Sequence, residues 1–357
     1  MKDWKTVRLG DICEILNGYA FDSKLFNSNN NGTPLVRIRD VVRGFSETYT
    51  TELADDKFLV RKGDLLIGMD GEFNCSPWNS EPSYLNQRVC KLCFIADSYD
   101  KKYVFYSLHK KLKEIEDKTA FVTVKHISSK QISDIAIINR PLNEQRHIAF
   151  VLEKCTELIT KYKRMLEKYD ALIKSRFIEM FGDPVKNIKG WKTESLQQVA
   201  PAKPAKNNLN DKVWLLNLDM VESQTGKVID YLYVNISDTG NSTYQFDEGN
   251  VLYSKLRPYL NKVVIPEQPG ICTSELVPLR PTEKLNRYFL ANLLRTDFFV
   301  NFINEKVAGA KMPRVSMDTF RAFDCILPPI ELQNDFAAFV QQIDKSKFEY
   351  KTKEIAA

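Results

Sequence analysis

The sequence predicts an α+β protein in which two similar domains are joined by a long central helix. Three observations support this fold class. Apolar residues in the middle of the chain follow a heptad pattern. Landmarks that precede this stretch recur after it in the same order. Each flanking part mixes short strand-like runs with one or two helical stretches. The whole chain of 357 residues is long enough for two or three domains.

The first domain is predicted to span residues 1–143. Short apolar runs at 35–39, 65–69 and 89–94 are bounded by turn residues and predict strands. Between 104 and 115 the apolar residues recur at helical spacing, which predicts a helix. Strands and helix in one segment are typical of an α+β domain.

The central helix is predicted to span residues 144–183. Asn143 is a plausible N-cap, and the segment 182–184 (Gly-Asp-Pro) is a stop signal. Apolar residues at 3, 4 and 7 residue spacing form one continuous stripe, which predicts a face buried against another helix. The stripe residues chosen as the helix interface are Ile148, Val151, Leu152, Leu158, Ile159, Leu166, Leu172 and Ile173.

The second domain is predicted to span residues 184–328 and to repeat the first. Trp4 corresponds to Trp191. The run 61–67, in which a glycine precedes the apolar residues, corresponds to 247–253. The segments 124–128 and 312–316 also correspond, and each copy ends in an apolar run, a proline turn and a helix start. The order of these landmarks indicates two copies of one domain, because a period this long is too large for a solenoid.

A short distal helix is predicted over residues 329–357. Phe336, Phe339 and Ile343 continue the interface stripe, which then fades into a lysine-rich segment. We therefore expect the distal helix to be shorter than the central one. On this basis the central residues Tyr169, Leu172 and Ile173 are expected to lack a partner within the chain and to be covered by another subunit, by a second copy of this chain, or by further sequence.

Composition limits the class of protein. The formal net charge of +5 is low for a stand-alone nucleic-acid binder. If the chain meets DNA, it must either concentrate its basic residues on one face or share the phosphates with partner subunits. Seven cysteines in apolar contexts indicate reduced thiols. No apolar run reaches the length of a membrane span and the N-terminus lacks a signal-peptide core, so we expect a cytoplasmic protein without membrane contact.

Motifs for catalysis are not found in the sequence. There is no phosphate-binding loop of the Walker type, no GxGxxG after a strand, and no GxSxG. Three dispersed histidines do not suggest a metal centre, and the lone C-x-x-C at Cys90 and Cys93 is better explained as two core residues of a strand. We therefore expect a non-catalytic chain with no cofactor and no metal.

Ten side chains are candidates for DNA contact. They are Arg37, Arg39, Arg43, Lys125, His126, Lys255, Arg257, Tyr259, Lys311 and Arg314. The first three surround a predicted strand, where they could reach guanine edges or phosphates, or form a solvated face with Arg39 paired to Asp40. The segment from Lys255 to Tyr259 is a candidate reading loop. The basic residues of 125–126 and 311–314 occupy matching positions in the two copies, which favours phosphate contact.

Several of these segments resemble a known family. The segment 140–148 carries Pro141-x-x-Glu144-Gln145, and it is followed by the stripe 148–173 and by the segment 174–184. Together they resemble the specificity subunit of type I restriction–modification systems. The runs 63–67 and 85–89 are also similar to segments of that family's target recognition domains. The resemblance covers nearly the whole chain.

The resemblance implies a fold and a function. The two domains become target recognition domains, each reading one half of a split DNA site, and the two helices pair as an antiparallel coiled coil with pseudo-twofold shape. The partners implied are double-stranded DNA, two methyltransferase subunits and, in the full complex, restriction subunits, which would bring methyl donor, ATP and Mg²⁺. The alternative is a coiled-coil scaffold that binds proteins and does not read DNA.

Overall fold

The computed structural model describes residues 5–95, 97–118, 125–206, 212–240, 242–307 and 312–355, with side chains described up to residue 347. The chain forms two compact units, Met1–Thr160 and Lys161–Ala357. Helix α4 (Leu142–Phe181) runs through the boundary between them. Each unit is described by itself below.

The elements of the first unit alternate between short strands and helices. In chain order they are β1 (Thr6–Arg8), β2 (Cys13–Asn17), β3 (Phe26–Asn27), β4 (Thr33–Val36), α1 (Ile38–Arg43), β5 (Tyr49–Thr50), β6 (Leu59–Val60), β7 (Leu65–Gly68), β8 (Cys75–Pro77), β9 (Ser83–Leu85), β10 (Val89–Phe94), α2 (Lys101–Lys118), α3 (Ser129–Ser133), β11 (Ala136–Ile138) and the start of α4.

The second unit follows the same plan. Its elements are β12 (Lys192–Ser195), α5 (Leu196–Val199), β13 (Lys212–Leu216), β14 (Leu232–Asn235), β15 (Thr243–Phe246), β16 (Val251–Ser254), β17 (Val263–Val264), β18 (Gly270–Thr273), β19 (Leu276–Leu279), α6 (Arg287–Arg295), α7 (Asp297–Glu305), α8 (Met317–Arg321), β20 (Asp324–Leu327) and α9 (Ile330–Ile355).

Strand pairing shows that the two units are copies of one fold. The first and last strands of each domain pair antiparallel, β1 with β11 and β12 with β20. A parallel pair lies inside each domain, β4 with β9 and β13 with β18. An antiparallel pair follows, β7 with β10 and β16 with β19. Both domains are thus α+β, as the order of sequence landmarks predicts.

In the first domain, the core lies between one sheet and one helix. Strands β2, β10, β7 and β8 form a four-stranded sheet. Leu65 and Ile67 of β7 and Leu92 of β10 are buried with Leu108 of α2 in one apolar cluster. Helix α2 therefore buries the face that the apolar spacing of 104–115 predicts. Cys90 is fully buried in the same cluster, and burial raises the pKa of its thiol to about 12, as suits an inert core residue.

A buried glutamine fixes the start of α4. The side chain of Gln145 donates to the carbonyl oxygen of Arg140 at 2.8 Å and accepts from the backbone N–H of Asp100 at 2.9 Å. Asp100 directly precedes α2. Gln145 therefore links the first turn of α4 to the first turn of α2 by hydrogen bonds.

The second domain repeats this contact. Gln333, fully buried in the first turn of α9, donates to the carbonyl oxygens of Pro328 (2.8 Å) and Lys284 (3.1 Å). Its side-chain oxygen accepts from the backbone N–H of Asn286 at 2.9 Å, and Asn286 is the N-cap of α6. The glutamine of the Glu-Gln motif is therefore explained by these hydrogen bonds. The second domain makes the same contacts, although a leucine separates the two residues of its motif, Glu331-Leu332-Gln333.

Within the second unit, α9 runs antiparallel to the C-terminal part of α4. The ring of Phe336 lies edge-on to that of Phe177, with centroids 5.5 Å apart. Further along α9, the ammonium group of Lys347 donates to the carboxylate of Asp170 at 2.8 Å. As the residue number rises along α9 it falls along α4, so the pairing is antiparallel as predicted.

The uncovered part of the central stripe is at the other end from the one expected. Ile173 is only 7% exposed, in a cluster with Phe336, Val340 and Ile343 of α9. Tyr169 packs against the same cluster, so of the three residues expected to lack a partner only Leu172 is exposed. The prediction was wrong because an antiparallel helix that begins beside the C-terminal end of α4 covers that end first.

Most exposed apolar residues of α4 lie in its N-terminal half. They are Phe150, Val151, Leu152, Leu158 and Ile159, and Leu158 is 62% exposed, whereas Leu172 and Ile178 are exposed in the C-terminal half. Helix α9 has 26 residues and α4 has 40, so the distal helix is the shorter one, as expected. The interface residues Ile148 and Leu166 are half-buried, and Phe339 packs against the cluster of α4 and α9.

Two predicted elements differ from the observed ones. The run 35–39 was expected to be a single strand, but β4 ends at Val36 and α1 begins at Ile38. Asp40 causes the switch, because its carboxylate accepts from the backbone N–H of Arg37 at 2.9 Å and so caps the helix. In the second domain the apolar spacing of 288–304 predicts one continuous helix, but Thr296 ends α6 and serves as N-cap of α7.

We predict that Gln333→Met lowers the free energy of unfolding by about 2–4 kcal/mol. The methionine fits the volume but leaves the N–H of Asn286 and two carbonyl oxygens buried without their partner. Urea denaturation measures the change. Gln341→Met, the same substitution at an exposed position of α9, is the control and should change stability by less than about 0.5 kcal/mol. Equal effects of both variants would contradict this role of Gln333.

Candidate nucleic-acid interface

In each domain a loop that follows a central strand is crossed by a segment from later in the chain. In the second domain this loop follows β16. The backbone N–H of Lys255 donates to the carbonyl oxygen of Glu275, and that of Arg257 donates to the carbonyl oxygen of Pro313 at 2.8 Å. Leu256 forms a β-bridge with Arg314. We call the loop 255–261 the second-domain loop.

The first domain builds the same crossing after β7. The N–H of Met69 donates to the carbonyl oxygen of Arg88, and that of Gly71 donates to the carbonyl oxygen of Lys125 at 3.0 Å. Asp70 forms the matching bridge with His126. We call residues 69–74 the first-domain loop. The equivalent hydrogen bonds align the two loops residue by residue. Gly71 corresponds to Arg257, and His126 corresponds to Arg314.

The two loops share an unusual backbone conformation. Gly71 has φ of +73° and the matching Arg257 has φ of +49°, both in the left-handed region. Glycine adopts this region freely, whereas a residue with a Cβ is strained there by roughly 1–2 kcal/mol. A strained arginine at a position where the other copy has glycine makes its side chain a candidate for a functional role.

Hydrogen bonds hold the second-domain loop in place. Asn261 at the end of the loop also has a positive φ, of +49°, and its side-chain N–H donates to the carbonyl oxygen of Arg295 at 3.0 Å. The side chain of Gln224 donates to the carbonyl oxygen of Tyr259 at 2.9 Å. Such a loop presents its side chains from a fixed backbone, which suits recognition of a rigid partner.

Basic and aromatic side chains line the surface of the second-domain loop. Arg257 is exposed, Tyr259 is 47% exposed and Lys255 is half-buried. Arg314 forms an ion pair of 2.7 Å with Glu275. Four candidates from the sequence are thus brought together here. The fifth candidate of this domain, Lys311, lies outside the described residues.

The first-domain loop carries a different arrangement of charge. Asp70 accepts from Arg88 at 2.6 Å and lies 2.6 Å from Nδ1 of His126. Lys125 pairs with the carboxylate of Glu116 at 3.0 Å. Sequence reasoning did not single out Arg88 as a candidate, although it lies in the run 85–89 immediately before β10. Its exposure and its position beside His126 add it to the site.

The remaining candidates form a separate group on α1. Arg39 donates to the hydroxyl of Thr48 at 3.1 Å and lies 3.5 Å from the carboxylate of Asp40, as the alternative of a solvated face predicts. Arg43 lies 3.6 Å from the carboxylate of Glu47. Arg37 is exposed at the N-cap of the helix. Their role in DNA contact stays a prediction.

Metal ligands and membrane-spanning helices are two further features that bear on function. Across the described ranges of the chain, no group of three or more histidine, cysteine, aspartate and glutamate side chains is arranged to hold a metal ion. Within the same ranges, every helix is too short or too polar to span a lipid bilayer.

Comparison with known proteins identifies the class to which these two domains belong. The family described as the type I restriction modification DNA specificity domain matches residues 1–168 and, a second time, residues 188–357. Each of the two matches contains one of the two crossed loops. The chain therefore belongs to this family of DNA sequence-recognition proteins. Membership favours DNA reading over the alternative of a scaffold that does not read DNA.

Individual relatives agree with this assignment. A stretch of 171 residues is 39% identical to the EcoBI specificity subunit of Escherichia coli, covering 48% of this chain and 36% of that subunit. Over 381 residues the chain is 21% identical to the EcoDI specificity subunit of Escherichia coli, covering 96% of the chain and 81% of that subunit. The crystal structure of the S subunit of a type I system from M. genitalium has the same fold, with a TM-score of 0.60 over 99% of this chain and 92% of that one, at 14% identity.

Proposed function

We propose that this chain is the non-catalytic subunit that gives a type I restriction–modification complex its DNA sequence specificity. Each domain contacts one short half of a split duplex target. The segments 1–143 and 184–328 are the reading domains, 144–183 is the spacer helix and 329–357 is the distal helix. Methylation and cleavage belong to partner subunits, and because the target is cellular DNA we place the complex in the cytoplasm.

The observation that carries this proposal is the crossed loop that both domains build with the same backbone hydrogen bonds. In each copy it brings basic side chains from distant parts of the chain to one surface. The backbone is equivalent in the two copies but the side chains differ, as expected of two readers that recognise different sequences with one scaffold. The net charge of +5 is low, and it fits this proposal if partner subunits share the phosphate contacts.

We propose that the ion pairs at the loops are exchanged when DNA arrives. In the pairs of Arg314 with Glu275 and Arg88 with Asp70 the arginine is exposed and the carboxylate is half-buried, so the contact with DNA must offset the loss of the carboxylate's partner. A phosphate or a guanine edge can then replace the carboxylate as the partner of the guanidinium. Proposed DNA contacts are thus Arg88, Lys125, His126, Lys255, Arg257, Tyr259 and Arg314, with Arg37, Arg39, Arg43 and Lys311 as further candidates.

We also propose that the exposed apolar residues of α4 form a docking surface for methyltransferase subunits. Val151 and Leu152 lie two turns before Leu158 and Ile159 on the same face of one helix, a pattern that favours contact with another helix. Two methyltransferase subunits, and restriction subunits in the full complex, are the partners expected of this family. Association of two copies of the chain through the same surface is the competing outcome.

We predict that the purified chain selects a split motif from a random double-stranded DNA library. Two short specified halves should flank a spacer of fixed length and unspecified sequence. Binding should weaken steeply as salt rises, because phosphate contacts release counterions. Sequencing of the bound fraction after several rounds measures the motif. Enrichment of no motif, or of one uninterrupted motif, would contradict reading by two domains.

We predict that Leu158→Asp abolishes the stable complex with the methyltransferase subunit encoded beside this chain. A buried carboxylate at a helix contact costs several kcal/mol, whereas the same residue on the free helix is harmless. Gel filtration of co-expressed subunits measures the complex. Leu53→Asp, at a leucine that is 83% exposed in the first unit, is the control and should assemble normally. If Leu158→Asp assembles as well as the control, this surface is not the docking site. If the variant changes only the mass of the isolated chain, the surface serves self-association.

A further inference from the structure

The second-domain loop contains an arginine at a backbone position where the first domain has glycine. Arg257 and Gly71 are matched by their hydrogen bonds to Pro313 and Lys125 and by their positive φ angles. A Cβ at Gly71 would meet nothing within 4 Å, so sterics of the surroundings do not impose glycine there. The two domains therefore differ at this position in the side chain alone.

The guanidinium of Arg257 also differs from its basic neighbours in its surroundings. Arg314 and Arg88 each donate to a carboxylate, and Lys125 is paired to Glu116. In the part of the chain that the structure describes, no carboxylate lies within ion-pair distance of Arg257, which is exposed. Its positive charge is therefore available to a ligand without displacement of an internal partner.

The backbone of Arg257 is held by hydrogen bonds at both its N–H and its carbonyl oxygen, whereas its side chain is exposed. The N–H of Arg257 donates to Pro313, and its carbonyl oxygen accepts from the N–H of Leu260 at 2.9 Å. Pro258 follows directly and begins a short 3-10 turn to Leu260. A guanidinium that reads a base needs neighbouring groups to orient its fork, whereas a phosphate contact needs only charge and reach from a fixed origin.

We propose that Arg257 is a phosphate anchor that the second domain possesses and the first domain lacks. The ligand is one phosphate of the DNA backbone beside the half-site that the second domain reads. The left-handed backbone aims the side chain out of the loop, and the glycine of the first domain leaves this contact unmade. The two domains thus hold the duplex unequally. This inference rests on the proposed function, because it assigns a role within DNA binding.

The test is Arg257→Gly, which gives the second domain the residue of the first. Affinity for the selected duplex should fall about fivefold to tenfold near 0.1 M salt, and the slope of log K against log salt should decrease in magnitude by about one. The selected motif should not change, because the contact carries no base information. The melting temperature should not fall, since glycine accepts the left-handed conformation without strain.

Two further variants separate charge from geometry. Arg257→Lys keeps the charge at the same backbone position, so its salt slope should stay close to that of the wild type. Arg176→Gln removes one charge from an exposed arginine of α4 and should leave both the slope and the motif unchanged. If Arg257→Gly melts at a lower temperature, Arg257→Gln, which retains a Cβ, is used to measure the slope instead.

Each other result overturns the assignment. Wild-type affinity and slope in the glycine variant would show that Arg257 does not contact DNA. Loss of preference at one base pair of the motif, with the slope unchanged, would show that it reads a base. A wild-type chain that binds duplex DNA without salt dependence or motif would overturn the proposed function, and this assignment with it.

Discussion

Closure of each domain by its own first and last strands is the constraint on which the rest of the structure depends. Strand β1 pairs with β11 and strand β12 with β20, so each domain returns the chain to the place where it entered. A proline turn and a buried glutamine, Gln145 or Gln333, then set the first turn of the following helix against the domain helix. Because the helix begins at a fixed point of its domain, the direction of the helix is fixed relative to that domain.

The same closure lets the recognition surface vary without cost to the fold. Both crossed loops use backbone groups for their structure, as the matched bonds of Gly71 and Arg257 show. The side chains at the crossing therefore contribute little to folding and can change charge between the copies. Asp70 and His126 in one domain correspond to Leu256 and Arg314 in the other. In such a scaffold the backbone groups determine stability, and the side chains at the crossing determine specificity.

Much of the fold could be predicted from the sequence, because heptad spacing and the order of landmarks are periodic signals. The α+β class, the two copies and the antiparallel pairing are confirmed. The uncovered end of α4 was not foreseen, since spacing shows which face of a helix is apolar but not where its partner begins. Ile173 is buried and Leu158 exposed for that reason. The strand expected at 35–39 was wrong because the cap formed by Asp40 starts a helix.

The site was predicted less completely. The structure brings Lys255, Arg257, Tyr259 and Arg314 to one surface, although nearly sixty residues separate the first from the last. Arg88 was missed because its proximity to His126 arises only from the crossing of two distant segments. Ion pairs with Asp70 and Glu275 were likewise hidden, since pairing depends on tertiary contact. Charge alone cannot distinguish a residue that meets DNA from one that meets a carboxylate.

We propose that the two domains of one chain direct a methyltransferase to a split DNA target. The decisive experiment is single-molecule methylation sequencing of DNA from cells that express this chain together with its methyltransferase. We expect N6-methyladenine in both halves of a motif whose halves are separated by a spacer of fixed length and unspecified sequence. Methylation at an uninterrupted motif, or at positions without any shared sequence, would contradict it.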